Sequence, residues 1–232
     1  MKTIGIICAM AIELEGIKNY MENKKEFTYA KMNFITGDVN NCKVVAVECG
    51  VGKVNAAMCA QVMIDKFSPD VIINSGVAGA VSRKVSLKDL VIATEVVEHD
   101  MNSSALGDPY GEITFPDENR IYFPCDQKTI INLAEACQEI NTEVHTGVIA
   151  SGDLFVYQVK QREKIAQRFN ALACEMEGAS IGHVCFRNDV PFCVFRAISD
   201  DMKNNEGIDF KTFCKEASEK TVKVIKRYIE NC

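Results

Sequence analysis

Short apolar runs alternate with amphipathic stretches along most of the chain. Thr3 to Ala9 is a near-continuous apolar run of strand length, the pattern of a strand buried on both faces. From Met10 to Tyr20 the period lengthens to that of a helix. Leu14 and Ile17 fall on one face, with Glu13 and Glu15 in the first turns. Phe27 to Gly37 and Cys42 to Cys49 alternate and are joined by Asp38-Val39-Asn40-Asn41, which predicts a hairpin. Gly50-Val51-Gly52-Lys53 then opens a long helix to Phe67.

Asp70 to Asn74 is a fully apolar strand ending in a small-residue turn, Ser75-Gly76-Val77-Ala78-Gly79-Ala80. Small side chains there let backbone groups touch a ligand unobstructed. Further strands are predicted at Asp89 to Val97, followed by His99-Asp100, and at Val144 to Ala150, which runs into Ser151-Gly152-Asp153-Leu154-Phe155-Val156. Helices are predicted at Thr129 to Glu139, Gln158 to Phe169 and Phe210 to Ile229. Between them Met101 to Pro124 is irregular and rich in Gly, Pro, Asn and Asp. An irregular stretch this long in a compact chain tends to be functional. The order strand–helix, hairpin, helix–strand, then alternating strands and helices predicts one α/β domain over residues 1–232 with a mixed sheet.

The stretch Ala173-Cys174-Glu175-Met176-Glu177-Gly178-Ala179-Ser180 carries the densest chemistry. An apolar strand, Leu172-Ala173-Cys174, meets an amphipathic helix, and two carboxylates and a methionine stand at the joint. The pattern recurs where Phe192-Cys193-Val194-Phe195 runs into Arg196-Ala197-Ile198-Ser199-Asp200-Asp201. In open α/β sheets the ligand crevice lies outside the carboxyl ends of the strands. One acid at a strand end is ordinarily a solvated turn residue or an N-cap. Two such segments on neighbouring strands, together with the small-residue turn, make a candidate site. Glu13 reads by itself as an acid favoured by a helix dipole, and His99-Asp100 as a structural hydrogen bond. Gly50-Val51-Gly52-Lys53 lacks the P-loop spacing, so it reads as a tight turn with close backbone approach.

Composition narrows the class. Of 232 residues 47% are hydrophobic and 25% charged, an ordinary globular balance. A formal charge of −6 without Lys/Arg clusters argues against nucleic acid as a partner. There are eleven cysteines, an odd number with no CxxC pair, several of them in apolar context. Reduced, buried thiols in a cytoplasmic protein fit this usage, rather than a zinc site or a redox motif. Met1-Lys2-Thr3-Ile4 is no signal peptide, and no apolar run approaches the roughly 18 residues of a membrane span.

Taken in order, Gly5-Ile6-Ile7-Cys8-Ala9-Met10 with Glu13, Gly50-Val51-Gly52-Lys53-Val54 and Ser75-Gly76-Val77-Ala78-Gly79 form a familiar series. It continues with Ala150-Ser151-Gly152-Asp153 plus Phe155-Val156, Glu175-Met176-Glu177-Gly178-Ala179, Arg196-Ala197-Ile198-Ser199-Asp200, and Phe210. Each piece alone is weak. The ordered set, running end to end, resembles the methylthioadenosine/S-adenosylhomocysteine nucleosidases.

The resemblance implies a three-layer nucleoside phosphorylase-like fold, with a central mixed sheet flanked by helices. It implies hydrolysis of the N-glycosidic bond of 5′-thioadenosine nucleosides by water, with no cofactor and no metal. Adenine would stack on Phe155 and meet backbone groups of Val156, and Asp200 would protonate N7. Met176 would lie against the ribose, Glu177 would hold its hydroxyls, and Glu13 would activate the attacking water. Val51, Ala78, Gly79, Glu175, Arg196, Ser199 and Phe210 complete the implied binding set. Leu106 would reach the 5′ pocket of a second copy in a homodimer. The chemistry asks for the same residue types. Glycoside cleavage uses one carboxyl as acid and another as base, and carboxylates favour a cationic transition state. Three departures stand out. Val77 replaces a serine common in the family, and Leu106 and Asp108 replace Phe and Tyr. Val77-Ala78-Gly79 and Asp108-Pro109 are closer to the subset that also hydrolyses 6-amino-6-deoxyfutalosine. A phosphate-dependent nucleoside phosphorylase and a non-catalytic nucleoside-binding module are the alternatives. Against the first, no Arg or Lys lies between Gly5 and Glu15. Against the second, three desolvated carboxylates are costly to retain for binding alone.

Overall fold

Aliphatic runs buried on both faces put a parallel strand, β1 (Thr3–Cys8), at the middle of the sheet. The computed structural model describes residues 1–200 and 210–232, with side chains for all of these but 210–214. After β1 come α1 (Ala11–Lys18), β2 (Glu22–Tyr29), β3 (Met32–Val39), β4 (Cys42–Glu48) and α2 (Lys53–Phe67). They are followed by β5 (Val71–Ala80), β6 (Leu90–Glu98), a short turn of 3-10 helix at Ser104–Leu106, β7 (Ile113–Thr114), β8 (Asn119–Arg120) and β9 (Tyr122–Pro124). The rest is α3 (Gln127–Glu139), β10 (Val144–Ser151), α4 (Val159–Phe169), β11 (Ala171–Glu175), α5 (Gly178–Arg187), β12 (Phe192–Asp200) and α6 (Phe210–Glu230). None of the described helices is long and apolar enough to cross a membrane.

The main sheet runs β11-β10-β6-β12-β5-β1-β4-β3-β2, with β9 added beside β6. It is mixed, as expected: β1 pairs in parallel with β4 and β5, whereas β12 meets β6 antiparallel. A further antiparallel contact, Ala173 with Ala80 and Cys174 with Gly79, joins β11 to β5. The pairings β5–β12–β6–β10–β11–β5 therefore close into a ring of five strands. This closure corrects one expectation. β11 and β12 are not neighbours; both flank β5, and through it their carboxyl ends meet. The core is built from fully buried aliphatics such as Ile4, Ile6, Ile7, Ile72, Ile73 and Leu90, each contributing about 1.5–3 kcal/mol on burial. α6 packs against α1, α3 and β12.

Two further expectations change. Phe27 to Gly37 is not one strand. It breaks at Ala30 and Lys31, with φ of 48° and 62°, into the β2–β3 hairpin. Neither residue is a usual carrier of left-handed backbone. The polar, exposed β2 also lacks a buried face to betray it. Secondly, Ser75 to Ala80 is not a turn but the second half of β5. Pairing to β12 and β11 extends it, and its small residues serve neighbouring side chains, as described next. Asp201 lies outside the described residues.

Candidate active site

Where β1, β5, β11 and β12 end, a cavity of about 220 Å³ opens. Its lining includes Ala9, Met10 and Glu13 from the β1–α1 joint, Val51, the β5 segment Val77-Ala78-Gly79, and Phe155. Cys174, Glu175, Met176 and Glu177 come from the β11–α5 joint, and Ser199 and Asp200 from β12. Three glycine-poor strands could not bring these acids together without β5. A Cβ on Gly76 would lie 2.4 Å from Arg196 Nη1 and 2.5 Å from Glu13 Oε1. One on Gly79 would lie 3.0 Å from Asp200 Oδ2. The missing side chains of β5 are the space the charged groups occupy.

Glu13 is the third residue of α1. Its Oε2 accepts the N–H groups of Ala9 and Met10, both at 3.0 Å, and its Oε1 accepts that of Val77 at 3.1 Å. It therefore does cap the helix start, yet it is buried and faces the cavity. Burial pushes its pKa up, against the opposing pull of Arg196 and these three amides.

Glu175 and Arg196 form the buried base of the site. Arg196 Nη2 donates to Glu175 and to Asn74 and stands 3.8 Å from Glu177 Oε2. Glu175 also accepts from Ser151 Oγ and from the N–H groups of Glu177, at 3.1 Å, and Gly178, at 2.8 Å. This anchors the N-terminus of α5, where an anion is favoured. Glu177 sits above that pair. Its Oε1 accepts the Gly52 N–H at 2.9 Å, so the Gly50–Lys53 turn is tied to the acid. Gly50 and Gly52 have φ of 83° and 97°, backbone that other residues enter only with strain. Burial and the neighbouring Glu175 charge push the Glu177 pKa up to about 7, with Arg196 opposing.

Asp200 Oδ1 accepts the Ser199 hydroxyl at 3.1 Å, and Oδ2 accepts Arg162 Nη2. Phe155 stands at the rim, 54% exposed. Not every residue singled out from sequence lines the cavity. Arg196 is 1% exposed, lies against the carboxylates of Glu175 and Glu177, and is outside the cavity lining. Val156 is buried behind Phe155 in sequence, its carbonyl bonded to Arg162 Nε at 3.1 Å. Leu106 is 86% exposed and outside the cavity lining. The Phe210 side chain lies outside the described residues.

Sequence reading overlooked two features. One is a closed set of bonds around Lys53. Its N–H donates to Asp153 Oδ1 at 2.8 Å, the Asp153 N–H donates to Asp100 Oδ2 at 2.8 Å, and Lys53 Nζ pairs with Asp100 at 2.7 Å and Glu98 at 3.0 Å. The start of α2, the end of β6 and the segment after β10 are thereby locked together. Asp100 thus partners Lys53 and Asp153 rather than His99, whose Nε2 is buried without a partner among the described residues. The other is Arg162. Its signal was present: Arg162, Ile165 and Phe169 share the buried face of an otherwise polar helix.

Several carboxylates lining one small apolar-walled cavity define a protein that binds and acts on a small polar molecule. The comparisons agree. Residues 3–230 match the model of the phosphorylase superfamily. A 5′-methylthioadenosine/S-adenosylhomocysteine nucleosidase of Staphylococcus aureus is 37% identical over 216 residues, covering 93% of both chains. Among solved structures, a Helicobacter pylori nucleosidase mutant with 5′-methylthioadenosine in the active site superposes with a TM-score of 0.93 at 30% identity, covering 100% of both chains. The native futalosine hydrolase of that organism gives 0.92 at 30% identity, covering 100% of this chain and 98% of its own. The chain belongs to the phosphorylase superfamily and, within it, to the 5′-methylthioadenosine/S-adenosylhomocysteine nucleosidases.

Proposed function

We propose that this protein hydrolyses the N-glycosidic bond of 5′-methylthioadenosine and S-adenosylhomocysteine, releasing adenine. The observation that carries the reading is the pairing of Glu13 and Asp200 in one cavity with Glu177. In the reaction a proton on Asp200 passes to N7 while the C1′–N9 bond breaks and its electron pair enters the purine. Water adds its oxygen to C1′ from the other side and gives up a proton to Glu13. Glu177, in the ionised form that prevails above about pH 7, holds the ribose hydroxyls and favours the cationic transition state electrostatically. Met176 lies against the sugar, Phe155 stacks on adenine, and the Val156 backbone, its carbonyl already held by Arg162, meets the adenine edge. Val51, Ala78, Gly79 and Ser199 complete the wall, while Glu175 and Arg196 fix the acids from below. The two acid–base groups are each worth about 10²–10⁴-fold.

Burial raises the pKa of Glu13 and so makes it a stronger base than an ordinary carboxylate. Among the described residues lining the cavity there is no Lys or Arg to hold phosphate. This favours water over phosphate as the acceptor, and adenine release in phosphate-free buffer tests it. The chain works as one cytoplasmic catalytic domain over residues 1–232. It functions as a homodimer in which Leu106 of one copy closes the 5′ pocket of the other. Exposed Leu106, Val54 and Tyr157 support that arrangement, because a monomer gains nothing by exposing them.

A further inference from the structure

Arg162 has no part in the roles above, yet it is one of the most costly residues in the fold. It is 3% exposed, while Lys160, Lys164 and Arg168 of the same helix face solvent. A buried guanidinium is tolerated only when its charge is paired and its donors are satisfied. Here three donors go to three acceptors. Nε reaches the Val156 carbonyl at 3.1 Å, Nη1 the Ala80 carbonyl at 3.2 Å, and Nη2 the Asp200 carboxylate. The planar fork thus spans the end of β5, the segment after Phe155 and the acid at the end of β12.

This has a chemical consequence for Asp200. A guanidinium offers only N–H groups and accepts nothing. A proton on the carboxyl oxygen facing it would leave the guanidinium a weak hydroxyl acceptor in place of a charged one. When Asp200 is protonated, the proton therefore resides on Oδ1. The neighbour of that oxygen is the Ser199 hydroxyl, which rotates freely between donating and accepting. We infer that Arg162 is a positioning residue that selects the proton-delivering oxygen of Asp200 and holds it in register with the Val156 backbone. This rests on the reading that Asp200 protonates the leaving purine. A lysine would not substitute fully, since a single ammonium lacks the three-way planar fork.

Two adenosine analogues separate positioning from mere support of α4. In the pyrrolo[3,2-d]pyrimidine C-nucleoside, position 7 carries an N–H, as in the purine just after proton transfer, and needs a carboxylate oxygen as acceptor. In the 7-deaza compound, a pyrrolo[2,3-d]pyrimidine, that position is C–H. The two also differ at position 9, carbon in the first and nitrogen in the second, but that difference is the same for every variant, and general damage or a shifted Val156 weakens both. Calorimetry on wild type, R162M and R162K gives the preference for the N–H ligand over the C–H ligand. The expected result is a preference reduced about tenfold or more in R162M, the size of a lost hydrogen bond to a charged group, and reduced less in R162K. An unchanged preference in R162M overturns the inference, whether both affinities fall equally, including to no binding, or neither falls. Where R162M does not fold, R162K decides by the same criterion. D200N separates the two layers of the argument. If D200N keeps the wild-type preference, the assignment of Asp200 itself fails. If D200N loses it while the Arg162 variants keep it, only the role of Arg162 fails.

Discussion

The Asp200 carboxylate fills the space that a side chain on Gly79 would occupy, its Oδ2 3.0 Å from the position of a Cβ. The contact joins the last residue of β12 to β5 at the point where β11 also pairs, at Cys174. Gly79→Ala should therefore displace the acid by a few tenths of an ångström or more, with the backbone otherwise extended and tolerant of alanine. Misplacement of a reacting group by about 1 Å can cost on the order of 10²-fold in rate. The expected outcome is a fall in kcat of about tenfold or more with an unchanged far-ultraviolet spectrum. A kcat equal to wild type would show that Asp200 does not depend on this packing.

Glu177 yields a pH prediction with a definite sign. Its pKa is pushed from an ordinary 4.5 up to about 7 by burial and by Glu175. The fold thus prefers the protonated acid. The stability linked to this group is complete below about pH 4.5 and is lost as pH rises through about 7. Glu177→Gln keeps an oxygen for the Gly52 N–H and removes the titration. At pH 8 the variant should be more stable than wild type by roughly 3 kcal/mol, and the difference should largely vanish near pH 4.5. Denaturant melts at both pH values read this directly; a constant difference across pH would contradict it.

Glu13→Gln should lose hydrolysis while still binding adenosine analogues. Activity should fall to below about a hundredth of wild type, the lower size of a general-base effect. The geometry adds a stability cost. Three backbone N–H groups point at the two oxygens, and an amide has only one. One N–H then faces an NH₂ group, at a cost of about 1–3 kcal/mol. A variant retaining more activity than that would leave Glu13 as a helix-capping acid alone.

Leu106→Asp should raise KM for 5′-methylthioadenosine more than for a substrate with a polar 5′ tail. The apolar wall it would remove suits a short thioether. Light scattering should give a dimer mass. A monomer fully active at nanomolar concentration would make Leu106 simply an exposed loop residue.

Much of this was legible in the chain because period and punctuation agreed with the fold. The aliphatic runs of β1 and β5, the Gly50–Lys53 turn and the acids at Glu175, Glu177 and Asp200 lie where hydrophobic pattern and strand-end logic put them. What escaped has a physical cause in each case. The Ala30–Lys31 turn hides behind residues that seldom adopt left-handed backbone. Ser75–Ala80 resembles a turn because its residues are small, but they are small to admit Arg196, Glu13 and Asp200. The β11–β5 contact, which brings the acids together, is a long-range pairing with no local signature. Arg162 reads as one more charge on a charged helix until Asp200 is placed beside it.

The account stands most directly on adenine release from 5′-methylthioadenosine by the purified protein in phosphate-free buffer, followed by chromatography of both products. The prediction is adenine plus free 5-methylthioribose, at a rate that added phosphate does not change, and no turnover by Asp200→Asn, whose amide cannot supply the N7 proton. Release that requires phosphate and yields a sugar 1-phosphate, or near-normal adenine release by Asp200→Asn, would contradict it.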